Sequence, residues 1–241
     1  MSERAPRKIL AVVTSHDAYD NSDEKTGLWL GELTHFWQIV SEAGFEVDVA
    51  SPKGGQVPLD KRSLGVTGGA RRSNRAFMAN PELRAKLERS LRPEEVSIED
   101  YEAIYFAGGH GAMWDFRGNP EVARLAEAVD RGGGVVSAVC HGVAAVLDLH
   151  REDGSPLIEG QPVTGYANVE ERAIRKRNNV PYLLEDELVR EGGRYRRGRV
   201  PFASHVEVAD RLVTGQNPLS SKAVARAVLE LLEKGRIGEG G

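Results

Sequence analysis

One cysteine occurs in the 241 residues, Cys140, and His141 and Gly142 follow it at once. The segment Gly133 to Gly142 reads GGVVSAVCHG, an apolar run that stops at the thiol. A buried strand ending at Cys140 and a helix starting at His141 would set the thiol at a helix N-terminus. Unpaired N–H groups and the positive end of the helix dipole favour a thiolate there. A fold can make a nucleophile this way from a side chain that is mostly protonated at neutral pH. A lone cysteine is more commonly a small core residue. A core cysteine, however, needs neither a following histidine nor the close backbone approach that Gly142 permits. His141 is either the base for the thiol or a residue that ends the strand.

Three further features could complete such a site. Gly108-Gly109-His110-Gly111 follows an apolar stretch. Its spacing matches neither the dinucleotide fingerprint nor the Walker loop. It is a plain turn or a place where backbone N–H groups meet a developing oxyanion, with His110 lining the pocket. Glu32 lies on an otherwise apolar helix face near Leu28, Trp29 and Phe36. Most helix carboxylates are solvated, but a buried one in that place would have a raised pKa and hold its proton. His35, His150 and His205 have no supporting pattern. Two basic clusters, Arg172/Arg175/Lys176/Arg177 and Arg194/Arg196/Arg197/Arg199, read as solvated surface.

The elements that would position these residues alternate. Lys8–Thr14 is a continuous apolar run, which marks a strand covered on both faces. A polar loop, Ser15–Thr26, leads to a helix over Gly27–Ala43 with Gly44 as its stop. Strands are expected at Phe45–Ala50, Tyr101–Ala107, Val135–Val139, Pro162–Tyr166 and Arg211–Thr214. Helices are expected at Pro81–Leu91, Pro120–Arg131, His141–Leu149, Pro181–Glu191 and Asn217–Lys234. Residues 56–99 read as a surface insertion within a single α/β domain over 7–234, and 235–241 as a mobile tail. Such alternation predicts a mostly parallel sheet with helices on both faces. Ligands of these sheets bind beyond the carboxyl ends of the strands, where Gly108–Gly111, Cys140–Gly142 and Glu32 would all lie.

Composition narrows the classes. Hydrophobic residues make up 40% and charged residues 28%, as in an ordinary soluble globular protein. The 32 basic and 36 acidic residues leave a net charge of -4, which argues against a bulk polyanion such as nucleic acid as partner. One cysteine excludes an internal disulfide framework and fits a reducing compartment. No apolar run reaches the roughly 18 residues of a membrane span, and the N-terminus lacks a secretory core. The expected location is the cytoplasm.

Taken together, several short motifs resemble the ThiJ/PfpI superfamily, which is class I glutamine-amidotransferase-like. They are Thr26-Gly27 with Glu32, Gly44-Phe45-Glu46-Val47-Asp48, Ala107-Gly108-Gly109-His110-Gly111 with Asp115, and Ala138-Val139-Cys140-His141-Gly142. Pro156-Leu157-Ile158-Glu159-Gly160, Thr164-Gly165-Tyr166 and the run Leu212 to Pro218 complete the set. The likeness runs from about Lys8 to Leu232 and is greatest to the heat-shock chaperone branch that contains glutathione-independent glyoxalase III. It implies a flavodoxin-like three-layer α/β sandwich and a Cys-His-acid triad of Cys140, His141 and an acid after the Thr-Gly-aromatic motif. Glu170 and Glu171 compete for that last place, and spacing favours Glu171. The resemblance also implies a protonated Glu32 against the sulfur and an oxyanion site from the N–H groups of Gly109 and His141. The expected reaction converts a 2-oxoaldehyde such as methylglyoxal to a 2-hydroxy acid such as lactate. It needs no cofactor and no metal, and the only partner is the small aldehyde, with a homodimer as the expected assembly. Alternatives are a cysteine amidase, peptidase or deglycase-like hydrolase, and a holdase chaperone or redox stress protein. One departure stands out: the family often has Gly-Pro after Cys-His, whereas Val143 follows Gly142 here.

Overall fold

Apolar residues on both faces force the run Ile9-Leu10-Ala11-Val12 into the centre of a sheet, where all four are buried. The computed structural model describes residues 7–64 and 69–238. The strands are β1 (Arg7–Val12), β2 (Ala18–Tyr19), β3 (Ser22–Lys25), β4 (Phe45–Ala50), β5 (Tyr101–Phe106), β6 (Val135–Val139), β7 (Pro162–Val163), β8 (Arg194–Tyr195), β9 (Val206–Ala209) and β10 (Leu212–Gly215). The helices are α1 (Leu30–Glu42), α2 (Lys61–Leu64), α3 (Gly69–Ala79), α4 (Pro81–Glu88), α5 (Ala112–Asp115), α6 (Pro120–Arg131), α7 (Asn168–Ala173), α8 (Leu184–Arg190) and α9 (Ser221–Gly238).

Six strands form the central sheet in the order β4-β1-β5-β6-β10-β9. All neighbours are parallel except the β10–β9 edge pair. Consecutive residues of β5 show how both faces are covered, since neighbours on a strand point to opposite sides. Tyr105 stacks on Phe36 of α1 at 3.7 Å, while Phe106 meets Phe116, just after α5, edge-on at 5.6 Å. The fold is the flavodoxin-like sandwich expected from the sequence. After β1 the chain crosses to β4 on one side, and β5 then returns to the other side of β1. The crevice at such a reversal is where open α/β sheets place their ligands. The loops after β1, β5 and β6 all open there.

Several boundaries differ from expectation for identifiable reasons. Helix α1 starts at Leu30, not Gly27, because Leu28 and Trp29 give their N–H groups to Pro58 O and Gly108 O. The turn after Cys140 is a 3₁₀ helix over Cys140–Val146 instead of an α-helix over 141–149. Pro162–Tyr166 is cut to the two residues of β7, which pair with β8 outside the main sheet. Thr164 has already turned away, its N–H bonded to Thr214 Oγ1. The polar stretch 15–26 contains the β2–β3 hairpin, and β9 forms an antiparallel edge that was not foreseen.

Within 56–99, Phe77 meets Trp37 of α1 edge-on at 5.4 Å, and Leu83 and Leu87 join the core. Residues 65–68 of that stretch lie outside the described residues. Helix α9 continues through Gly238, so only 239–241 of the expected tail lie outside them. No described helix is long and apolar enough to cross a membrane.

Candidate active site

β6 is buried along its whole length, and the chain leaves it through a sharp turn at Cys140. Cys140 has φ of +57°, a left-handed conformation that costs a side-chain-bearing residue of order 1–2 kcal/mol. The neighbouring loops enforce it. A Cβ on Gly142 would meet Phe106 O at 2.4 Å, and one on Gly108 would meet the Gly142 and His141 nitrogens at 2.7 and 2.8 Å. The loop after β5 therefore lies directly on the turn after β6. Glycine at both positions is what lets the backbones approach and holds the thiol in its turn.

Cys140 Sγ lies 3.3 Å from His141 Nδ1. On the far side of the ring, His141 Nε2 lies 2.7 Å from Glu171 Oε2. Adjacent residues thus place thiol and imidazole in contact, and α7 supplies the carboxylate from a distant part of the chain. Tyr166 packs on the His141 ring with centroids 4.3 Å apart. Burial opposes the charge on Glu171, but the two histidines around it, His141 foremost, hold its carboxylate well below the usual range. An ionised carboxylate is what steadies an imidazolium during proton transfer from sulfur.

The neighbouring carboxylate, Glu170, has different partners. Its Oε1 accepts from Phe202 N–H at 2.6 Å and from the amides of Gln216 and Asn217 at 2.9 Å each. Its Oε2 accepts the Ala167 N–H and closes the first turn of α7. Glu170 therefore ties three segments together, and its hydrogen bonds go to them and not to a site histidine. Of the two carboxylates left open by the sequence, Glu171 is the one beside His141.

Glu32 is fully buried in the first turn of α1. Its Oε2 accepts the Gly108 N–H at 2.7 Å, and its carboxyl interacts with Cys140. Oε1 has no nitrogen or oxygen partner. Burial pushes the acid up to about 8, against the pull of the Gly108 N–H and the thiol. Glu32 is thus protonated at neutral pH and able to donate to sulfur.

The thiol itself departs from the sequence expectation. Burial pushes it well up, an ionised Glu32 adds to the rise, and the His141 backbone N–H pulls the other way. Enclosure outweighs the helix-terminus effect in the resting site. The Glu32 contribution disappears once that carboxyl is protonated.

His110, expected to line the pocket with Gly109, is placed behind the acid. Its Nε2 lies 2.9 Å from Glu171 Oε1 and its ring 4.1 Å from that of His141. Burial, then the neighbouring His141, pulls it down to about 4. His110, His141 and Glu171 bring their ligand atoms within 4.8 Å of one another, so they are the residues that could hold a metal ion. In the structure the same atoms are hydrogen-bonded among themselves.

Sequence reasoning missed Arg62 and Tyr19, which adjoin His110, Asp60, which pairs with Arg62, and Tyr166 as a site residue. A Thr-Gly-Tyr motif flagged the last, but nothing local marked the others. Lys176, assigned to a solvated cluster, is buried, with Nζ 2.5 Å from Glu24 and 4.8 Å from the Tyr19 ring centre. His205 pairs with Glu207 at 3.1 Å, apart from the site.

The model of the DJ-1/PfpI family matches residues 27–231. Glutathione-independent glyoxalase HSP31 of Saccharomyces cerevisiae is 31% identical over 95% of this chain and 99% of its own length. Glyoxalase 3 of Candida albicans is 29% identical over 94% and 98%. Among solved structures, Rapid Encystment Protein 24 KDa of Francisella tularensis superposes with a TM-score of 0.89 at 37% identity, over 94% of this chain and 99% of that one. Glyoxalase III of Candida albicans superposes with a TM-score of 0.83 at 28% identity, over 93% and 97%.

Proposed function

Since the chain belongs to the DJ-1/PfpI family, we propose that it is a glutathione-independent glyoxalase converting 2-oxoaldehydes such as methylglyoxal to 2-hydroxy acids such as lactate. The observation that carries this reading is the unbroken contact line Glu32–Cys140–His141–Glu171 at the carboxyl edge of the sheet. The likeness to named glyoxalases over nearly the whole chain supports the substrate class.

In this mechanism Cys140 is the nucleophile and His141 its base. His141 Nδ1 takes the thiol proton, Glu171 stabilises the imidazolium, and the Glu32 O–H donates to the sulfur left charged. The thiolate adds to the aldehyde carbon, C1. The N–H groups of Gly109 and His141 hold the resulting oxyanion. His141 returns its proton to that oxyanion, and the ring, neutral again, then carries a proton from C1 to the neighbouring carbonyl carbon, C2, through an enediol-like species. The C1 carbon is oxidised to a thioester and C2 reduced to an alcohol, so no outside oxidant or reductant is required. Water cleaves the thioester, returns the thiol and releases lactate. Each turnover adds one water to one methylglyoxal, and no metal or glutathione takes part.

The test is to supply methylglyoxal without glutathione and follow lactate. Turnover that disappears in Cys140→Ala supports the reading. No turnover, or equal turnover in that variant, overturns it. The family resemblance also supports a homodimer, which light scattering on the purified protein would read directly.

A further inference from the structure

A 2-oxoaldehyde brings two carbonyl oxygens into the site, and the Gly109 and His141 N–H groups serve only the one on C1. The Glu32 O–H is committed to the sulfur. When the C1 proton leaves, charge moves onto the oxygen of C2, which needs a donor of its own. Most polar groups near the thiol are already spent. Glu171 takes both histidines, and the Gln216 and Asn217 amides serve Glu170. The Tyr105 hydroxyl donates to Glu32 O at 3.1 Å, and the Tyr195 hydroxyl to Gly165 O at 2.9 Å.

We propose that the Tyr166 hydroxyl is a catalytic group that donates to the C2 oxygen of the substrate and selects 2-oxoaldehydes over simple aldehydes. Tyr166 is only 7% exposed. A buried tyrosine normally gives its O–H to a partner. Among the described residues this hydroxyl has no hydrogen-bond partner. Its ring lies on His141, with centroids 4.3 Å apart and planes tilted by 33°. Burial, and after it the Cys140 thiol ahead of Glu171, Glu170 and Glu32, pushes the hydroxyl well up, so the thiol is the foremost ionisable group acting on it. An unspent donor beside the thiol and over the base suits the oxygen next to the carbon that the thiol attacks.

The segment that carries Tyr166 has little freedom. The Thr164 N–H is bonded to Thr214 Oγ1 of β10 at 3.0 Å, and Gly165 O takes the Tyr195 hydroxyl. A Cβ on Gly165 would meet Leu188 and Leu184 at 3.0 and 3.1 Å and Val143 at 3.3 Å. The ring is thereby held against His141 while its hydroxyl stays unpaired. In the reaction, His141 takes the C1 proton and the electron pair moves to the C2 oxygen, where Tyr166 donates. The hydroxyl proton on the C1 oxygen passes to the C2 oxygen. The proton carried by His141 then goes to the C2 carbon, leaving a thioester at C1 and an alcohol at C2. The Tyr166 O–H is intact throughout, so the proton count of the reaction is unchanged. A simple aldehyde has no second oxygen and gains nothing from this hydroxyl.

This inference rests on the glyoxalase reading above, and two measurements separate the fate of each. Tyr166→Phe keeps the ring on His141 and removes only the oxygen. Its kcat/KM for methylglyoxal is expected to fall by about 10², while the rate at which iodoacetamide alkylates Cys140 changes by less than about twofold. The second measurement needs no turnover. Protection of Cys140 from iodoacetamide by methylglyoxal and by propanal gives the affinity of each thiol adduct. The ratio of the two affinities is expected to fall about tenfold in Tyr166→Phe, since one hydrogen bond to the second carbonyl is lost. The intrinsic reactivity of each aldehyde cancels between the two proteins. An unchanged ratio overturns the inference, as does a variant with wild-type kcat/KM. Alkylation that slows in step with turnover also overturns it, because the hydroxyl would then serve the thiol. Absence of turnover in the wild type would sink the glyoxalase reading, and the protection ratio would still decide whether Tyr166 reads the second carbonyl.

Discussion

The Glu32 carboxyl lies against the Cys140 thiol, with its Oε2 fixed by the Gly108 N–H at 2.7 Å. A buried acid beside a buried thiol allows one negative charge at low cost and a second only at high cost. Burial raises Glu32 to about 8, so below that pH it can donate to a thiolate. Above it, ionised Glu32 repels the thiolate. Activity is therefore expected to fall on an alkaline limb near pH 8, and Glu32→Gln should remove that limb. A pH profile of kcat/KM for both proteins decides the matter. A limb that persists in Glu32→Gln belongs to another group.

Removing the donor has a separate consequence. Glu32→Leu keeps the site dry and leaves the sulfur without its O–H partner. Because Glu32 has already ionised where the much-raised thiol titrates, the change also removes that repulsion, and the thiolate should appear at lower pH by about one unit, equivalent to about 1.4 kcal/mol. Because Cys140 is the only cysteine, beside six tyrosines, the absorbance difference between each protein and its Cys140→Ser version isolates the thiolate from tyrosinate. An unchanged titration would mean that Glu32 acts only through Gly108.

Glu170 and Glu171 are neighbours in sequence with opposite expected phenotypes. Glu171→Gln replaces an ionised acceptor shared by two histidines and should cost about 10² or more in kcat while the melting temperature changes little. Glu170→Ala strands the Ala167, Phe202, Gln216 and Asn217 donors in the interior. Each buried unsatisfied group costs about 1–3 kcal/mol. A stability loss of about 3 kcal/mol or more in urea is therefore expected, with the loss of activity following loss of fold. The reverse pattern would assign the acid role to Glu170.

That pair illustrates what the sequence holds and what it does not. Successive residues of a helix point about 100° apart, so one of two adjacent glutamates faces the site, and only the placement of α7 decides which. The Cys140 turn and the Gly108 loop were legible because a single thiol and close-packed glycines leave local marks. Burial of Glu32 followed only from the family likeness, since a helix carboxylate is solvated unless another element covers it; here Gly108 and Cys140 do. Arg62 and Asp60 lie in and beside a four-residue helix, too short to show periodicity. The β2–β3 hairpin is a different failure: Asp23, Glu24 and Lys25 are exposed and polar, with no apolar alternation to reveal a strand. Strand β9 did show alternation, with Val206 and Val208 separated by Glu207, before a turn at Asp210 with φ of +52°.

Close approach at Gly109 predicts a large loss. Its φ is +109°, and a Cβ there would lie 2.1 Å from Gly27 O and 2.6 Å from Trp29 N. Both neighbours are backbone and cannot move aside cheaply. Gly109→Ala should cost about 3 kcal/mol or more. Gly118 is the control: its φ is +69° with nothing within 4 Å of the Cβ position. Gly118→Ala should cost only about 1–2 kcal/mol, the penalty for the left-handed backbone. Equal losses in thermal melts would show that conformation, not crowding, governs Gly109.

Asp115 gives a stability prediction with a definite sign. It accepts from Ser15 N–H at 2.7 Å and from Thr14 Oγ1 at 2.9 Å, joining the loop after β1 to the end of α5. Burial pushes it up from 3.8 to about 6, outweighing those two bonds. An acid with a raised pKa binds its proton more tightly folded than unfolded. Its contribution is thus fully present below about pH 4 and lost as pH rises through about 6. Allowing for partial solvent access, the loss is of order 1–2 kcal/mol. Asparagine keeps an acceptor for Ser15 and cannot ionise. The stability of Asp115→Asn relative to wild type should therefore increase by that amount between pH 4 and pH 7.5, measured by urea unfolding at each pH. A constant or falling difference would mean that the hydrogen bonds to Ser15 and Thr14 outweigh burial and that Asp115 is ionised in the fold well below pH 6.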